Sequence, residues 1–155
     1  MEYGSIEREI HVAASPEVVF EVLSSPEHLR EWWPDEAHLE PVPGSVGELV
    51  FGDRAGGDAT VVPITVLEVE PPRRFSFRWT HGPGEVAAEG NSLLVTFDLV
   101  PSTDGTTTVR MSETGFRERG WEVAVLEEQY REHGVGWDHY LPVLDGYLAR
   151  LVDTR

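Results

Sequence analysis

Ser15-Pro16-Glu17 and Ser25-Pro26-Glu27 place the same helix-start signal twice in quick succession, and the second runs into Trp32-Trp33-Pro34. A serine can cap free amides, a proline fits the first helical position, and a glutamate there suits the positive end of the helix. Each start governs only a short run. Val18, Val19, Val22 and Leu23 give the first helix an apolar face, and Leu29, Trp32 and Trp33 do the same for the second. The second must stop at or before Pro34, since a residue preceding proline is driven out of the helical region. Helices this short need a surface to cover.

That surface is written on both sides of them. Ile6, Ile10 and Val12 alternate with Glu7, Glu9 and His11, the period of a half-buried strand. Beyond a turn-rich Pro41 to Gly47, five further runs read as strands: Glu48 to Asp53, Thr60 to Glu70, Arg73 to His81, Ser92 to Val100 and Thr106 to Thr114. Gly56-Gly57, Pro71-Pro72, Gly82-Pro83-Gly84 and Asp104-Gly105 separate them, and breaks of this kind favour an antiparallel meander over crossover helices. Pro63 predicts a bulge or an edge position, because it cannot donate to a ladder.

From Arg117 the period turns helical. Trp121, Val125 and Gln129 or Tyr130 mark a short piece that Gly134 and Gly136 are expected to interrupt. Trp137, Tyr140, Leu141, Leu144, Leu148 and Leu151 then make the apolar stripe of a main helix. Pro142 inside it predicts either a start capped by Asp138 or a bend.

A chain of 155 residues fits a single domain spanning 1–155, long enough to bury roughly 68–70% of its unfolded surface. Its formal net charge is -16, with 28 acidic residues against 12 basic ones, all arginine. Such a surface repels phosphate backbones and anionic lipid headgroups, which argues against nucleic acid or a membrane as partner. The chain has no cysteine, which removes disulfides, thiolate metal sites and cysteine nucleophiles. The first residues carry neither a basic nor an apolar leader segment, so a cytoplasmic setting is expected.

The order strand, two small helices, antiparallel strands and long C-terminal helix resembles the helix-grip fold of START domains, polyketide cyclases and birch-pollen-type allergens. Within that superfamily, also called SRPBCC, the chain resembles the family named after the C-terminal domain of the activator of the ninety-kilodalton heat-shock-protein ATPase. The residues that carry this are Ser15 to Pro34, Glu68-Val69-Glu70-Pro71-Pro72-Arg73-Arg74-Phe75 with Trp79, Thr114-Gly115-Phe116, and Gly136-Trp137 with Leu141, Leu144 and Leu148. The position two before Gly115, often histidine in such proteins, is Glu113 here. The resemblance implies an α+β domain in which a curved antiparallel sheet of six or seven strands wraps the C-terminal helix around a cavity. The namesake's co-chaperone role is not implied, because it depends on a further domain.

Strand alternation says what faces inward. Phe75, Phe77 and Trp79 share one side of their strand, Leu93, Val95, Phe97 and Leu99 another, and Thr107, Val109, Met111 and Glu113 a third. Glu113 is then a carboxylate on an apolar face. It is expected either to be satisfied by an arginine such as Arg8 or by the backbone, or to meet a ligand or work as a general acid or base. The residues expected near the cavity are Trp33, Phe51, Phe77, Trp79, Met111, Glu113, Trp137 and Tyr140. The six histidines form no metal-binding spacing, and no phosphate loop or nucleophile elbow is present, so no catalytic residue, cofactor or metal is expected. Three functions follow. The first is binding of a small hydrophobic or polycyclic molecule; the others are a cyclase- or hydratase-type enzyme, and a chaperone or protein-interaction module. Oligomeric state is not legible.

Overall fold

The structure is a computed structural model that describes residues 4–153. The chain opens with β1 (Ser5–Val12), whose Ile6 and Val12 are buried while Glu7, Glu9 and His11 face water. The helices α1 (Pro16–Ser24) and α2 (Pro26–Trp32) follow at once. In α1 the Val18 amide donates to Ser15 Oγ at 3.4 Å. Ser25 serves both helices: its amide donates to the Glu21 carbonyl, and its own carbonyl accepts from the amides of His28 and Leu29. Trp33 leaves the helical region with φ -126° and ψ -93°, as a residue before proline must.

The chain then makes β2 (Glu36–His38), β3 (Val46–Phe51), β4 (Thr60–Glu70), β5 (Arg74–Trp79), β6 (Leu93–Pro101) and β7 (Thr107–Thr114). These form one seven-stranded antiparallel sheet in the order β1-β7-β6-β5-β4-β3-β2. The helix pair therefore carries the chain from one sheet edge to the other, and the meander walks it back until β7 pairs with β1. On the way α1 packs against β5 and β6, and α2 against α1 and β2. β2 lies outside the strands expected from sequence, being three residues long with a polar residue at each end.

The remaining element is α3 (Val123–Asp153), a single helix of 31 residues that runs through Gly134, Gly136 and Pro142. The expected interruption does not occur. Each helical glycine costs about 1 kcal/mol relative to alanine, but Trp137, Leu141, Leu144 and Leu148 are all buried along the same face, which outweighs it. A Cβ at Gly134 would lie 3.4 Å from Arg8 Nη2 and 4.0 Å from Ile6 Cδ1, so this glycine lets the helix settle on β1. Asp138 does not cap a helix start, because its carboxylate accepts from Arg8 Nε at 2.7 Å. Trp121 lies ahead of the helix, with the Arg119 guanidinium 4.9 Å above its ring.

Pro63 is neither at an edge nor in a bulge. β4 lies between β3 and β5, and the register shift falls between Val66 and Glu68. Pro63 stands opposite Thr80, whose φ of +69° ends β5. The Thr80 amide still donates to the Pro63 carbonyl, so the missing proline N–H falls where the ladder has already finished.

Candidate functional site

The inward face of β7 delivers a carboxylate into the core. Glu113 has no exposed surface, and its partners come from two other elements. Trp79 Nε1, from the end of β5, donates to Oε2 at 2.8 Å, and Trp137 Nε1, from α3, donates to Oε1 at 2.9 Å. His133 Nδ1 lies 3.0 Å from both oxygens. Indole N–H groups only donate, so both oxygens must accept. Nδ1 is equidistant from the two oxygens, the geometry of an N–H shared between both oxygens of an ionised carboxylate.

The expected Arg8 partner is displaced. Arg8 is spent on Asp138 at the surface, and Glu113 meets three ring nitrogens instead. His133 itself was missed as a site residue because the glycines on either side of Val135 read as a helix break. In an unbroken helix His133, Gly136, Trp137 and Tyr140 fall at i, i+3, i+4 and i+7, which is one face. Two rings fix the imidazole edge-on, Trp79 with centroids 5.4 Å away and Phe116 at 5.5 Å. Phe116 is carried there by Gly115, whose φ of +104° turns the chain out of β7.

Trp33 stands at the centre of the aromatic packing. Its ring centroid is 5.1 Å from Trp79, 5.2 Å from Trp137, 5.7 Å from Phe77 and 5.9 Å from Phe51. The two neighbouring tryptophans thus divide their work: Trp32 is buried with Nε1 donating to the Val22 carbonyl, and Trp33 reaches the sheet.

The space expected as a hollow interior is largely occupied by this cluster. What remains is a cleft of about 380 Å³ beside it, walled by Trp33, Phe51, Trp79, Trp137 and Tyr140 and completed by Glu132, His133 and Gly136 from α3. Phe77 and Met111 lie deeper, in the packed core, and do not reach the cleft. Glu113 sits behind the wall, one hydrogen bond from it through His133, Trp79 or Trp137. At Gly136 a Cβ would meet nothing within 4 Å. Burial and the charge of Asp35 push the Tyr140 hydroxyl above its ordinary value, which keeps it protonated.

A larger hollow of about 480 Å³ lies on the opposite face of the sheet, where Glu7, Glu9, Asp98 and Arg110 line it. Arg110 donates to Glu9 there at 2.8 Å, and no aromatic ring contributes. Among the described residues no group of three histidine, aspartate or glutamate side chains could hold a metal ion. No described helix is long and apolar enough to cross a membrane.

A seven-stranded antiparallel sheet closed by two short helices and gripping a long C-terminal helix defines a helix-grip protein of the SRPBCC class. More narrowly, the chain belongs to the family described as Activator of Hsp90 ATPase homolog 1-like protein, whose model matches residues 13–149. Solved structures with this fold include NE0264 from Nitrosomonas europaea, with TM-score 0.77, 17% identity and 99% of each chain covered. Another is the Aha1 dimer from Colwellia psychrerythraea, with TM-score 0.72, 19% identity, and 93% of this chain and 95% of that one covered. DynU16, from the dynemicin biosynthetic locus, aligns with TM-score 0.69 and 23% identity over 94% of this chain and 47% of its own. No curated protein matches the chain in sequence.

Proposed function

We propose that the chain binds a small hydrophobic, ring-containing molecule in the cleft between the sheet and α3. The observation that carries this reading is the cleft wall. Four aromatic rings, from Trp33, Phe51, Trp79 and Trp137, border one space of about 380 Å³, with the Tyr140 ring and the His133 imidazole at its side. Apolar walls with a few fixed polar groups are the usual make-up of a small-molecule site. A guest bordered by three tryptophans meets rings already locked by packing, which lowers the entropic cost of binding.

Gly136 provides the direct test, because its missing side chain opens onto the cleft without a neighbour. Gly136→Leu fills the space with a good helix former, so the fold is retained. Tryptophan quenching by flat aromatic compounds should be saturable in the parent and at least tenfold weaker in this variant. Equal affinity in the two proteins would remove the cleft from consideration.

A further inference from the structure

We propose that His133, oriented by Glu113, is the hydrogen-bond acceptor of the cleft, so that its guests are flat aromatic or enolic molecules carrying a free hydroxyl. This rests on the cleft reading and adds the polarity of the guest. The argument starts from the buried carboxylate. Both oxygens of Glu113 are engaged by indole N–H groups, and the carboxylate holds the imidazole proton on Nδ1. In the neutral ring the other nitrogen, Nε2, is then a bare acceptor. No described residue donates to it, and the ring borders the cleft with 15% of its side chain exposed.

Glu113 also places that acceptor: its two oxygens each lie 3.0 Å from Nδ1, so Nε2 is turned away from the carboxylate. The rings of Trp79 and Phe116 fix its direction. Water hydrogen-bonded to Nε2 is displaced when a guest enters, and a guest without a donor leaves the acceptor unsatisfied. A hydroxyl replaces the lost bond; an ether or a bare ring does not.

The probes are 2-naphthol, naphthalene and 2-methoxynaphthalene, titrated against tryptophan fluorescence at neutral pH. The expected result is that 2-naphthol binds at least tenfold more tightly than either of the others, one of which is smaller and one larger. In His133→Phe, which keeps a ring between Trp79 and Phe116, the ratio of 2-naphthol to naphthalene affinity should fall to about one. Similar affinity of all three for the parent would overturn the acceptor role and leave the cleft standing, whereas binding of none would overturn both readings. A preference that survives His133→Phe also overturns it. Nitrogen-15 spectra of the histidine-labelled parent give a test independent of any variant. A protonated Nδ1 with a bare, pyridine-like Nε2 on His133 supports the assignment, and a protonated Nε2 contradicts it.

Discussion

At the scale of single residues, the decisive one is Glu113. Its inward direction was legible, because strand alternation put it in line with Thr107, Val109 and Met111. Its partners were not, since Trp79, His133 and Trp137 come from elements whose relative placement no local pattern encodes. Three donors converging on one fully buried carboxylate make its removal costly: the indole N–H groups lose their acceptors, and no water-sized substitute is supplied by an apolar side chain. Glu113→Ala should therefore lower the unfolding free energy by at least about 3 kcal/mol, by comparison with other broken buried networks. Urea denaturation measures this directly. A loss below about 1 kcal/mol, the scale of a single ordinary hydrogen bond, would mean that the network is not closed as described.

At the scale of elements, α3 shows where local signals mislead. Glycine and proline are helix-breaking signals, and four of them, Gly134, Gly136, Pro142 and Gly146, lie within its 31 residues. What overrides them is burial of Trp137, Leu141, Leu144 and Leu148 along the sheet, a non-local contribution that propensity does not contain. The double helix start after Ser15, by contrast, was legible because its signals act within one turn. Two glycines test the distinction from opposite sides. Gly136 has helical backbone and open space around it, so Gly136→Ala should stabilise the protein by about 0.5–1 kcal/mol. Gly115 has φ +104°, and a Cβ there would stand 3.0 Å from the Ser92 carbonyl oxygen, so Gly115→Ala should cost more than about 1 kcal/mol. Thermal melts of the two variants should shift in opposite directions, and a parallel shift would contradict the backbone argument.

At the scale of the whole molecule, the meander from β3 to β7 could be read from turn chemistry, whereas the pairing of β7 with β1 could not, because it joins the last strand to the first and no local pattern encodes it. The net charge of -16 acts on the same scale. Arginines take up part of the acidic surface locally, as with Arg54 between Glu36 and Glu48 and Arg74 beside Asp98, and in both cases these pairings hold the guanidinium above its ordinary value. Such exposed pairs add little stability. A buried histidine that does not line the cleft adds a pH response of its own near neutrality. His81 is almost fully buried, with Nε2 3.3 Å from Thr65 Oγ1 and no partner on Nδ1. Burial pushes its pKa below 6.5, Glu85 opposes the shift, and Arg119 reinforces it. The folded chain therefore binds this proton less readily than the unfolded chain, whose histidine titrates near about 6.5. The associated stability is complete above that pH and is lost as pH falls through the folded value, with a slope no steeper than about 1.4 kcal/mol per pH unit for one proton. Unfolding free energies of the parent and His81→Gln, taken between pH 8 and pH 5, isolate this contribution from the carboxylates that both proteins share. The parent should lose stability relative to the variant as the solution is acidified, and a constant difference across the range would show that His81 carries the same proton folded and unfolded.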